Sequence, residues 1–134
     1  MPDNRKTLMQ YRLDNAQEKI RAAALLYEQG SYKDSINRSY YAMFAAMRAI
    51  LALDGVDFSK HAGVISYFQR EYIKTGIFDK KYSKFISTAF QIRNNCDYAD
   101  FFIVNKDDAK EQLDHAKEFF NVLQSYVSSN GHAK

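Results

Sequence analysis

The chain has 134 residues, 46% hydrophobic and 26% charged, which is enough apolar surface for one folded domain and too little length for a second lobe. Its single proline and five glycines leave too few turn residues for a sandwich, a barrel or a multi-hairpin protein, so the composition predicts long helices. The formal net charge of +3 permits an encounter with RNA or phosphates without demanding one, and the lone Cys96 excludes an intramolecular disulfide framework or a multi-cysteine zinc site.

Met9, Leu13, Ala16, Ile20, Ala23 and Tyr27 recur at spacings of 4, 3, 4, 3, 4 and predict a first helix over about 5–29, stopped by Gly30. Ser31 is the expected N-cap of a second helix through about Leu53, closed by the turn Asp54-Gly55. Its second half, YYAMFAAMRAILAL, is apolar on nearly every face, which makes this the central helix. A third helix is expected from just after Ser59 to about Lys74, with Val64, Phe68 and Tyr72 on one side. A fourth, over about 79–100, carries Tyr82, Phe85, Ala89, Ile92, Cys96 and Ala99 at spacings of 3, 4, 3, 4, 3. The fifth has Asn105 as its N-cap, acidic Asp107, Asp108 and Glu111 where the helix dipole favours them, and an apolar stripe from Ala109 to Val127. The reading is an all-α, single-domain, antiparallel up-and-down bundle of about five helices, with its core over about 7–127 and a frayed polar tail at 128–134. No window approaches the ~18 apolar residues of a membrane helix and MPDNRKTLMQ has no apolar h-region, so a cytoplasmic protein with no membrane association is expected.

His61, His115 and His132 lie in three separate segments without metal-ligand spacing, and the glycines are isolated, so neither a metal, nor a phosphate-cradling loop, nor any other cofactor is expected. Cys96 falls in an apolar stripe and reads as a core residue. The most polar interruption of a regular helix is RNNCDYAD, residues 93–100, where two asparagines disfavour helix. At 100° per residue Arg93, Asp97 and Asp100 fall within about 60° of one another, while Tyr98 lies roughly 140° around from Arg93. The simpler reading of that face is an i, i+4 ion pair between Arg93 and Asp97; the functional one is a phosphate site. Tyr40, Tyr41 and Phe44 read as core rather than as a base-stacking platform. Arg38, beside that buried stretch, needs a carboxylate or a ligand phosphate and is a secondary candidate.

SINRSYYAMFAAMRAILAL, KHAGVISYFQREYIKTG and IRNNCDYADF, in that order and separation, resemble the small stand-alone HEPN-domain proteins of prokaryotes over about residues 7–127. The resemblance implies a compact helical bundle, a homodimer, and kinship with metal-independent RNases, many of them toxins encoded beside a small nucleotidyltransferase that acts as antitoxin. Their motif places an arginine, commonly followed by a polar residue, four to six residues ahead of a histidine, with two copies facing each other across the dimer cleft. Arg93 and Asn94 match its start. Positions 98, 99 and 100 hold Tyr98, Ala99 and Asp100, so the histidine is missing and the motif reads R-x4-Y.

Cleavage of RNA by 2′-OH attack needs a group that titrates near neutrality, which histidine does and tyrosine, with a pKa of about 10, does not. The expectation is therefore a nucleotide- or RNA-binding cleft around Arg93, Asn94, Asp97 and Tyr98, with Arg38 as a further phosphate contact and a nucleotidyltransferase as protein partner. An active RNase with a divergent motif is the alternative, requiring His61 or His115 to stand beside Arg93. A non-enzymatic helical interaction module is the third reading.

Overall fold

The computed structural model describes residues 4–129. Five helices follow in order: α1 (Asn4–Glu28), α2 (Tyr32–Asp54), α3 (His61–Phe68), α4 (Lys81–Tyr98) and α5 (Lys106–Ser129), with a π-helical turn, Gln69–Ile73, continuing α3. No strand occurs among the described residues. Each expected helix is present; four differ in their boundaries by a residue or two, while α3 ends at Phe68 and the rest of the stretch expected to run to about Lys74 is the π turn. Ser128 and Ser129 extend α5, while 130–134 of the expected tail, including His132, lie outside the described residues.

α2 is central because the second half of its sequence is apolar on nearly every face: 14 of its 23 residues are buried, and it touches α1, α3, α4 and α5. Alanines at 42, 45, 46, 49 and 52 keep its surface low, so that neighbouring backbones approach closely. α1 lies along it through Met9, Leu13, Ala16 and Ala23, and the Ser35 hydroxyl donates to the Ala23 carbonyl at 2.8 Å. α5 packs on both through Leu113, Ala116, Phe120, Leu123 and Val127. Each fully buried Leu, Ile or Phe of this interior contributes about 1.5–3 kcal/mol of apolar transfer energy.

The ends of the helices follow their local chemistry. The Gly30 and Ser31 N–H groups donate to the Tyr27 and Leu26 carbonyls, closing α1 as a Schellman motif. Ser31 stands at the N-cap of α2 but its side chain makes no capping hydrogen bond. Gly55 ends α2 in the left-handed conformation, φ 72°, which favours glycine. Before it, Asp54 Oδ2 accepts from the hydroxyls of Tyr67 at 2.9 Å and Tyr72 at 2.7 Å, tying α2 to α3 and its π turn. Burial, followed by these bonds, pushes the Tyr67 hydroxyl up to about 12 and Tyr72 higher still. Asn105 and Asp108 cap α5 reciprocally, each side chain accepting the other's backbone N–H at 2.8 and 3.1 Å, as the N-cap expectation requires.

Two clusters organise the interior. The larger contains Phe68, which stacks on Tyr72 and Phe78 with ring centroids 5.6 Å away and meets Phe119 edge-on at 5.7 Å. The π turn makes both Tyr72 and Ile73 face inward, where the α-helical spacing predicts Tyr72 alone. The smaller joins Ile36, Val104 and Ala109 with the half-buried Tyr27, Tyr32, Ile92, Cys96 and Phe102. Cys96 is thus a packing residue, as expected, and burial raises its thiol above the ordinary value.

Candidate functional site

Three segments distant in sequence meet at the middle of α2. α2 supplies Tyr40, Tyr41 and Phe44, α4 supplies Phe90 and Arg93, and the first residue of α3 supplies His61. The Arg93 guanidinium carbon lies 4.7 Å from the Tyr40 ring centroid and 5.7 Å from those of Tyr41 and Phe90. Stacking of this kind suits arginine, whose planar and weakly hydrated cation interacts with ring faces. Its Nη1 donates to Asp97 Oδ2 at 3.1 Å, the ion pair that the i, i+4 spacing predicts. Burial by itself works against the charge, but the interactions with Asp97 and the two tyrosines hold the Arg93 pKa above its ordinary value. Only 7% of Arg93 is exposed, and its buried Nε has no hydrogen-bond partner.

His61 completes the cluster. Its Nδ1 shares a hydrogen bond with the Tyr40 hydroxyl at 3.0 Å, and its ring lies 4.1 Å from that of Phe44. Tyr40 therefore bridges the imidazole and the guanidinium. Burial, then the charges of Arg93 and Arg48, lower the His61 pKa from 6.5. The unfolded chain takes up this proton more readily than the folded one, so the stability that neutral His61 contributes is present above about pH 6.5 and lost on acidification. The melting temperature is expected to fall between about pH 7.5 and 5.5, with a shallower fall in His61→Gln. Equal slopes in thermal melts of the two proteins would contradict this.

A second charged group adjoins the first. Asp57 Oδ2 accepts from Arg48 at 2.9 Å and from Arg12 at 3.2 Å, and its Oδ1 accepts the Phe58 N–H at 2.9 Å. Burial favours a higher pKa for this carboxyl, but the hydrogen bonds from Arg48 and Phe58 and the two positive charges outweigh it and hold the value low. A lone arginine in the apolar run YYAMFAAMRAILAL is the sequence signal for such a partner.

The predicted site residues separate. Arg93 and Asp97 come together, and Asn94 is half-buried one residue along. Tyr98 is 77% exposed, on a different face of α4 from buried Arg93, as the helical angle requires. Arg38 is exposed on α2, one turn before Tyr41, and forms no ion pair among the described residues. Tyr40 and Phe44 are buried, as the core reading expects, while also walling the cluster. His115 stacks on Phe85 at 3.9 Å instead of joining the cluster. Among the described residues no group of His, Cys, Asp and Glu is arranged to hold a metal ion, and no helix is long and apolar enough to cross a membrane.

Residues 9–126 match the HEPN domain family. The chain belongs to that family. A relative from Thermotoga maritima, named a UPF0332 protein, is 30% identical over 125 residues, covering 93% of this chain and 95% of the relative. A second, from Methanocaldococcus jannaschii, bears the name "Putative toxin MJ0142" and is 29% identical over 117 residues, 87% of this chain and 80% of its own. A UPF0332 protein of Archaeoglobus fulgidus is 31% identical over 91% of this chain and 97% of its own. The all-α architecture and the helical segments that carried the resemblance agree with this membership.

Proposed function

We propose that this HEPN protein binds RNA or a nucleotide through phosphate contacts at the Arg93 cluster, and that it is the toxin-like, cytoplasmic half of a pair whose other member is a small nucleotidyltransferase. The observation that carries this reading is the convergence of Arg93 with His61 on Tyr40: a cation over the ring face and a titratable ring on the hydroxyl of one tyrosine, with Asp97 orienting the guanidinium. Asn94 and Arg38 flank the cluster as further polar contacts for a phosphate chain. Arg93→Ala is expected to lose affinity for a single-stranded RNA oligonucleotide in a fluorescence titration while keeping its helical circular dichroism spectrum. Unchanged affinity would reject the site. Recovery of a nucleotidyltransferase with the tagged protein, expressed from its own chromosomal neighbourhood, tests the pairing.

The exposed segment after α4 favours one addition, a homodimer. Tyr98, Phe101 and Ile103 are 77%, 98% and 86% exposed, and Phe101 adopts φ 60°, a left-handed conformation costing a bulky residue about 1–2 kcal/mol. Apolar side chains held outward at such a cost suit burial against a second copy. Phe101→Ser with Ile103→Ser is expected to halve the mass seen by light scattering. A wild-type monomer, or an unchanged mass in the double variant, would remove this interface.

A further inference from the structure

The net charge of the chain is concentrated in one stretch. Residues 65–84 hold five cations, Arg70, Lys74, Lys80, Lys81 and Lys84, against two carboxylates, Glu71 and Asp79, a net +3 that equals the charge of the whole protein, so the remaining residues sum to zero. Both carboxylates are already engaged: Arg70 Nε donates to Glu71 Oε2 at 2.9 Å, and the Lys81 N–H donates to Asp79 Oδ1 at 2.8 Å at the start of α4. Lys81 is paired as well, with Glu118 at 2.9 Å. Lys74, Lys80 and Lys84 are exposed and form no ion pair among the described residues.

The same stretch folds around a groove of about 1090 Å³ between the π turn and the start of α4. Half-buried Ile65 and buried Ile73 and Phe78 make its floor, while the exposed Arg70, Lys74 and Lys80 stand along its edges. The π turn produces this division, because its extra residue brings Ile73 inward beside Tyr72 and leaves Arg70 and Lys74 outward. The walls are held before anything binds. The Phe78 N–H donates to the Tyr72 carbonyl at 2.8 Å and the Gly76 N–H to the Ile73 carbonyl at 2.9 Å, with Gly76 at φ 87° in the reversal. A preformed groove spares a partner part of the ordering cost of association.

Size and lining select the occupant. The volume exceeds the roughly 300–1,000 Å³ of small-ligand sites, and the groove is open to solvent. Single-stranded nucleic acid needs exposed rings on which bases can stack. Phe78, the aromatic side chain of this lining, offers no such face: it is 4% exposed, with Phe68 and Tyr72 stacked against it at 5.6 and 6.0 Å. The nearby Tyr67 ring lies under the Arg70 guanidinium, 5.5 Å away. What remains is an aliphatic floor between cationic edges, which complements a helix with apolar residues at i, i+3, i+4 and i+7 flanked by Glu or Asp. From Ile65 to Ile73 the groove runs about 12 Å, room for roughly two turns of such a helix. We propose that this groove is a protein-docking surface whose partner presents an acidic amphipathic helix, and that it works apart from the Arg93 cluster, with which it shares no residue.

The experiment titrates the full-length protein with a fluorescein-labelled helical peptide of about 18 residues, leucine on one face and glutamate on both flanks, read by anisotropy. Micromolar binding is expected, weakened about tenfold or more by Lys74→Glu with Lys80→Glu. It should stay within about twofold in Lys6→Glu with Arg21→Glu, which changes the net charge equally at exposed positions of α1. A peptide with serine in place of leucine should bind about tenfold more weakly, since charge alone does not cover the floor. All four substituted side chains are exposed, so the variants should keep the helical circular dichroism spectrum. Absence of binding by the leucine peptide, equal losses in the two double variants, or equal affinity for the serine peptide overturns the proposal. Loss of single-stranded RNA affinity in Lys74→Glu with Lys80→Glu, with peptide affinity unchanged, gives the groove to nucleic acid instead. A mass by light scattering that halves in that variant gives it to a second copy, and either result overturns the proposal. Arg93→Ala should bind the peptide as the wild type does, and a loss there overturns the separation of the two surfaces.

Discussion

Phe68→Ala is expected to lower stability by about 3–5 kcal/mol, read as a shift of the urea midpoint or a fall in melting temperature of roughly 10–20 °C. Phe68 is fully buried, and its ring joins three elements: Tyr72 in the π turn, Phe78 in the segment before α4 and Phe119 on α5. Truncation removes the transfer energy of the ring and leaves a void that three rigid aromatic neighbours cannot refill, and unfilled volume adds to the cost. Leu25→Ala is the control. Its side chain is 64% exposed on α1, so stability should change by no more than about 0.5 kcal/mol. Similar losses in the two variants would mean that the core is not centred on Phe68.

Arg93→Ala is expected to weaken RNA binding by about 10- to 100-fold, the range given by the loss of charge-assisted hydrogen bonds of about 1.5–3 kcal/mol. Arg93→Lys should recover little of it. An ammonium is a compact, strongly hydrated charge and cannot lie flat among Tyr40, Tyr41 and Phe90 while donating in its own plane to Asp97. Both variants should also lose about 1–2 kcal/mol of stability, since a cation over a ring contributes about 0.5–2 kcal/mol when desolvated. The side chain of Asp97 is one-third exposed, so water can solvate it once its partner is gone, which keeps the stability loss below that of a fully buried pair. Full rescue of binding by lysine would show that charge alone matters, against the stacked geometry.

The helices were legible because each is specified by near neighbours. Gly30 and Gly55 mark the two helix ends that close onto preceding carbonyls, and the reciprocal Asn105–Asp108 cap is written within four residues. The Arg93–Asp97 pair was legible for the same reason, both residues standing on one face of α4. Less of the candidate site could be read. Tyr98, drawn in by its place in the R-x4-Y motif, faces away from the buried Arg93, and the helical angle between them was already a sign of it. The π turn at Gln69–Ile73 was hidden because a single inserted register step leaves the composition of a helix unchanged.

From the sequence alone came the five helices, the central place of α2, the aromatic core and the family likeness, because periodicity, capping residues and apolar runs act over a few residues. The meeting of His61 with Tyr40 and Arg93 was decided only by tertiary structure: 21 residues separate the hydroxyl from the imidazole that shares its proton, and α4 approaches from more than 30 positions further on. Such a contact depends on how three helices pack, and packing is set by the summed burial of many side chains, so no local pattern encodes it.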